Sequence, residues 1–160
     1  MTDASALPER SRIVHQQLVD AGIDAAIRVL PDSARTALEA AAAIGCDVSA
    51  IANSLVFVAD GKPVLVMTSG GHRADPVILA AQIGADEIAM APASAVREAT
   101  GQAIGGVAPL GHPIRLRTYI DAALAAHDEI WAAAGHPHTV MPLTFDLLRS
   151  ITDGTVIDVA

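Results

Sequence analysis

The stretch "SLVFVADGKPVLVMTS" (residues 54–69) decides the fold. Two apolar runs flank Asp60-Gly61, a dipeptide that suits a two-residue hairpin turn because both positions tolerate positive φ. The runs are apolar on both faces instead of alternating, so the two strands are expected to be central and well buried. Immediately upstream, "IANSLVF" (residues 51–57) leads into the first strand with Asn53 among apolar neighbours. Asn bonds readily to nearby main chain and favours element ends, which makes Asn53 a strand-start residue with a satisfied amide. The other reading places Asn53 where a chemical group is needed, and the local pattern leaves both open.

Working outward, "PERSRIVHQQLVDAG" (residues 8–22) predicts a helix with Ile13, Val14, Leu18 and Val19 on one side and Gly22 at its end. "IDAAIRVL" (residues 23–30) predicts a short strand broken by Pro31 and Asp32. In "SARTALEAAAAIG" (residues 33–45), Thr36 and Glu39 have capping-box spacing, Ser33 competes as the N-cap, and Gly45 closes the helix. Downstream of the hairpin, Asp75 and Pro76 start a helix that ends at Gly84. "DEIAMA" (86–91) then predicts a strand and "PASAVREATG" (92–101) a short helix. "GGVAPLGHP" (105–113) is too rich in Gly and Pro for regular structure and predicts an ordered loop. Strands are expected in "IRLRTYID" (114–121), "EIWAAAG" (129–135) and "TVIDV" (155–159), with "AALAAH" (122–127) a short turn or helix. "HPHTVMPL" (136–143) leads into a final helix, "TFDLLRSIT" (144–152). Hairpins and short helices without regular βαβ repetition give an α+β fold with a mixed, mostly antiparallel sheet.

Composition bounds the function. The 160 residues fit a single domain, 1–160, and 52% hydrophobic content makes it globular. Aromatics are only 2%, so Ala, Val, Leu and Ile must build the core. A single Cys precludes an internal disulfide and points to a reducing, cytoplasmic setting. No signal peptide and no membrane-spanning run are expected. A net charge of −8 argues against a strongly basic nucleic-acid binder, although nine of the ten basic residues are Arg and Arg115 and Arg117 lie close together.

Several loops have residues suited to chemistry. "TSGGHRAD" (68–75), with His72 and Arg73, can present N–H groups to an anion, or can be a tight turn before a capped helix. His136 and His138 stand one residue apart, and His72 and His112 sit in Gly loops. Zinc needs three or four converging ligands, and the spacing supplies no metal motif. Cys46 reads as a small packed residue, and no Gly-x-Ser-x-Gly elbow is present. In "TGQAIGGVAPLGHP" (100–113), Gly105 and Gly106 permit close backbone approach while Pro109 and Pro113 stiffen the chain. Such a loop can aim N–H groups at a carbonyl oxygen, or can be ordered without a ligand.

Taken together, "TALEAAAAIGCDVSAIANSLVF", "KPVLVMTSGGHRAD", "TGQAIGGVAPLGHP", "IWAAAGHPH" and "LTFDLLRSITDGTVIDV" resemble, in order, the YbaK/EbsC family of aminoacyl-tRNA deacylases. That family is related to the editing insertion domain of bacterial prolyl-tRNA synthetases. The resemblance covers most of the chain, roughly residues 33–159. It implies a barrel-like sheet surrounded by short helices and no cofactor. It also implies hydrolysis of the ester between a wrongly attached small amino acid and the tRNA 3′ end, a reaction needed because small pockets discriminate poorly. The ester is expected near Gly105, Gly106 and Pro109. Gly135, His136 and His138 would form a second wall, and the ribose hydroxyl would assist.

The family pattern places Lys where this chain has Asn53, and a small hydroxylated residue at what aligns with Ala133. A Lys ammonium can bind the terminal phosphate or stabilise negative charge, whereas Asn donates hydrogen bonds without charge. Substituting cations are His72 and Arg73, which makes them candidate substrate-binding residues. The alternatives are a non-catalytic module of the same fold that binds aminoacyl-tRNA or a small ligand, and a histidine-based metal hydrolase. Mischarged aminoacyl-tRNA is the expected partner, with a synthetase or elongation factor supplying tRNA affinity. The sequence leaves the oligomeric state open.

Overall fold

The computed structural model describes residues 6–24, 26–31 and 36–160. The expected hairpin is its centre. Strand β2 (Ile51–Ala59) pairs along its whole length with β3 (Lys62–Ser69). Asp60 and Gly61 both take positive φ, 49° and 82°, as the predicted turn requires. The Asp60 carboxylate also accepts from the Asp86 and Glu87 N–H groups, which ties the turn to the start of β4 (Ile88–Met90).

The other strands are β1 (Arg28–Val29), β5 (Arg117–Asp121), β6 (Ile130–Ala133), β7 (Thr139–Leu143) and β8 (Thr155–Ile157). They run in the order β1-β7-β6-β2-β3-β5-β8, with β4 paired to β2 off this path. Four ladders are antiparallel and three parallel among the described residues, which is the mixed, mostly antiparallel α+β sheet expected. No ladder among the described residues joins β1 to β8.

Helices cover both faces. Val14 and Leu18 of α1 (Glu9–Asp20), Val96 of α4 (Ala93–Thr100) and Leu148 of α5 (Phe145–Thr152) pack on Ala52, Val56, Leu65 and Met67. On the opposite face, Leu79 of α3 (Pro76–Ile83) meets Phe57, Val64 and Val66. Beside that cluster, Ala41 of α2 (Ala37–Ile44) meets Ile51, Trp131 and Val140. Alternate residues of β2 thus enter different clusters, which explains why its sequence is apolar at nearly every step. Burying a side chain of this size is worth about 1.5–3 kcal/mol, so the hairpin contributes substantially to the core. Among the described residues, no helix is long and apolar enough to cross a membrane.

Five expectations are corrected. The α1 helix buries Ser11, Val14 and Leu18, while Ile13 and Val19 are 40% and 52% exposed, because the buried stripe follows the i, i+3, i+7 positions. The strand in 23–30 shrinks to Arg28–Val29, and that in 114–121 starts only at Arg117, because pairing partners exist only there. Residues 139–143 form a full strand, β7, although Pro142 lies within it. Asn53 is not a strand start: Asp47 caps a 3-10 turn over Val48–Ala50, β2 opens at Ile51, and Asn53 lies two residues inside. Thr36 does cap α2, its hydroxyl accepting from the Glu39 N–H at 3.1 Å, while Ser33 lies outside the described residues.

Candidate functional site

The sheet opens beside β2. On the edge away from β3, β6 reaches only Ile51 and Ala52, and β4 reaches only Phe57 to Ala59. Between them, Ala91 N–H donates to the Val56 carbonyl at 3.0 Å. Residues 53–55 therefore have no strand beside them on that edge. Gly70 N–H donates to the Ile51 carbonyl, so ladder alternation turns the Ser54 main chain toward this opening.

A cavity of about 290 Å³ fills the gap. Asn53, Ser54, Leu55, Trp131, Ala133 and Val140 form its sheet side, and Ile104, Gly105 and Val107 form its roof. No ionisable side chain lines it among the described residues. Asn53 is half-buried, and its amide makes no hydrogen bond among the described residues.

The Gly-rich loop is braced from below. Buried Gln102 accepts from Ala108 N–H at 2.9 Å and donates to the Leu110 carbonyl at 3.2 Å. His112 Nε2 donates to the Ala108 carbonyl at 2.8 Å, so that nitrogen carries the proton. Burial pushes the His112 imidazole pKa down, and the bond to Ala108 only partly offsets this. Gln17 of α1 accepts from Gly111 N–H at 3.0 Å.

These bonds decide which loop amides are free. Gly106 N–H is spent on the Ala103 carbonyl at 2.9 Å, Ala108 N–H on Gln102, and Pro109 has none. Gly105 and Val107 keep N–H groups without a protein acceptor among the described residues, and both residues line the cavity. Gly106 has a different use. A Cβ there would sit 2.6 Å from the His136 carbonyl carbon and the Pro137 nitrogen, so only glycine lets the two loops touch. Pro109 lies on the far side, in a separate cavity with Arg115 and Ile151.

The loop at 135–138 is the adjoining wall and presents Pro137, followed by Thr139, to the cavity. Gly135 takes φ of 99° where the Arg10 carbonyl of α1 comes close. Thr139 hydroxyl donates to the His136 carbonyl at 3.1 Å, and Ser11 Oγ lies 3.0 Å from it, which accounts for a buried serine on α1. His136 Nδ1 accepts from His138 N–H at 3.1 Å. Neither imidazole is among the cavity-lining groups.

His72 and Arg73 lie elsewhere. His72 Nδ1 donates to buried Asp121 at 2.8 Å, at the opposite end of β3 from the turn. The anion cradle expected in that loop is closed, because Gly70, Gly71 and His72 N–H groups bond to Ile51, Ser69 Oγ and the Ser69 carbonyl. Among the described residues, no group of three or more His, Cys, Asp and Glu is placed to hold a metal ion. Cys46 is half-buried, and burial, then Asp47, push its thiol pKa up, away from the reactive thiolate.

The sequence reading missed Gln102, Val107 and the Ser54 main chain. Gln102 offered one signal: an amide side chain entering a Gly/Pro loop whose N–H groups need partners.

Comparisons with known proteins converge on this architecture. Residues 31–151 match the family described as an aminoacyl-tRNA editing domain. A proline–tRNA ligase from Bacillus licheniformis is 32% identical over 138 residues, covering 84% of this chain and 24% of that enzyme. The chain thus spans about a quarter of that relative's length. The protein YwhH of Bacillus subtilis is 30% identical over 70% of this chain and 71% of its own length. A crystal structure proposed as a trans-editing enzyme for prolyl tRNA synthetase superposes with a TM-score of 0.91 at 38% identity, covering 96% of this chain and 98% of its own.

Proposed function

The chain belongs to the aminoacyl-tRNA editing domain family, of YbaK/EbsC type, and from that premise we propose that it hydrolyses the ester joining a small amino acid to the 3′ end of a mischarged tRNA. The observation that carries this reading is the pair of loop N–H groups, Gly105 and Val107, without a protein acceptor among the described residues, lining the same cavity as Asn53. Two fixed donors suit an ester carbonyl whose oxygen gains charge as it is attacked. Water adds its oxygen to the carbonyl carbon, and the bond to the ribose oxygen then breaks. That ribose oxygen takes one of the water's protons, the other passes to solvent, and the amino acid leaves as a carboxylate. With no ionisable side chain among the described lining residues, the neighbouring ribose hydroxyl relays the proton and Asn53 orients the water.

Proline–tRNA ligase and a trans-editing protein proposed for prolyl tRNA synthetase are among the relatives, which makes tRNAPro the first partner to test. The experiment is a panel of tRNAPro species carrying alanine, serine, glycine, cysteine or proline. Hydrolysis of at least one small aminoacyl ester well above the buffer rate is expected. Hydrolysis of none overturns the reading. Asn53 favours a second reading, because a neutral amide stands where the family pattern has Lys. In that case the pocket binds the aminoacyl end without cleaving it, and Asn53→Lys creates turnover that the wild type lacks.

A further inference from the structure

We propose that Arg28 holds the phosphate of the tRNA 3′-terminal nucleotide, supplying from β1 the positive charge that position 53 lacks. This inference rests on the editing reading of the cavity.

The sheet register sets up the geometry. Arg28 pairs with Val140, and Val140 pairs with Ala133. Ile51 pairs with Trp131 in the parallel ladder, so Asn53 and Ala133, each two residues further along, project from the same face. Partnered residues in a sheet project from the same face, so Arg28, Val140, Ala133 and Asn53 form one cross-strand row. The last three line the cavity. At about 4.8 Å per strand the row is roughly 14 Å long.

Arg28 is also held against an aromatic ring. Its guanidinium carbon lies 5.4 Å from the centroid of Trp131, itself a cavity wall. The residue is exposed and has no carboxylate partner among the described residues. An aromatic face orients a guanidinium and leaves its donors free for an oxyanion. The four strands that line the cavity, β2, β4, β6 and β7, carry no Lys or Arg. We place the 5′-phosphate of a nucleotide whose 3′ ester sits at the Asn53 and Gly105 end along this row, where the Arg28 guanidinium lies over Trp131.

The test uses a stable substrate mimic, 3′-alanylamido-3′-deoxyadenosine, with and without a 5′-monophosphate. Wild type is expected to bind the monophosphate about tenfold tighter, as one charge-assisted contact gives. Arg28→Met, which keeps the packing on Trp131, abolishes that preference, and Arg28→Lys retains part of it. A preference that survives Arg28→Met overturns the proposal, as does no preference in wild type. A preference lost instead in Arg35→Met, outside the described residues, also overturns it. Because the mimic cannot be cleaved, these outcomes stand apart from the panel of mischarged tRNAs, whose failure would refute the editing reading itself.

Discussion

An amide in the middle of a buried strand needs either a partner or a reason to lack one. Asn53 has no hydrogen bond among the described residues and lines the cavity, so its donors are open to a ligand. Asn53→Ala should therefore lower kcat/KM for the sensitive mischarged tRNA about tenfold, the worth of one hydrogen bond to a developing charge. The thermal midpoint should barely move, since no intramolecular bond is lost. A large fall in stability with unchanged kinetics would return Asn53 to a structural role. The sequence posed this question but did not answer it, because a preference for element ends is a local rule and the strand boundary was set by the Asp47 cap. Gly106 was legible as a glycine that permits close approach, but not the surface it approaches. Gly106→Ala would push a Cβ into the His136–Pro137 backbone. Overpacking of this kind costs about 1–3 kcal/mol, and urea denaturation should show that loss together with a fall in deacylation.

The loop from Gln102 to His112 behaves as one element because its own side chains satisfy its main chain. Gln102→Glu keeps the acceptor for Ala108 N–H and removes the donor to the Leu110 carbonyl. An unpaired buried group costs about 1–3 kcal/mol. Gln102 is a positioning residue, so kcat should fall more than KM rises. His112 gives the same loop a pH dependence. Burial holds its folded pKa below the ordinary 6.5, so between those two values the unfolded chain binds more protons. Stability is then full above the unfolded value and falls as pH drops below 6.5 toward the folded value. Chemical denaturation between pH 5 and 7.5 checks this, and His112→Gln should flatten that slope. The loop's existence could be read from its Gly and Pro content. Its free amides could not, because which N–H is spent depends on Gln102, whose partners lie six and eight residues away.

Across the sheet, the hairpin at residues 51–69 and the capped helices were legible because turn chemistry and periodicity are short-range signals. Strand β7 was not, since Pro142 and the preceding His-Pro-His argue against a strand until β1 and β6 are seen on either side. The opening beside β2 was equally hidden, because it arises from two partners that each stop short. The charge of the molecule has its own consequence: at −8, affinity for intact tRNA should be modest and should fall steeply as salt rises from 50 to 200 mM, which filter binding can follow. The central claim is that an aminoacyl ester lies between Asn53 and the Gly105 and Val107 amides. An amide-resolved NMR titration with the non-hydrolysable alanylamido nucleotide tests it most directly. The largest shifts are expected at Gly105, Val107, Ser54 and the Asn53 side-chain amide, with His72 and Arg73 unmoved. Shifts centred on the His72–Asp121 end of β3, with Gly105 and Val107 unchanged, would contradict it.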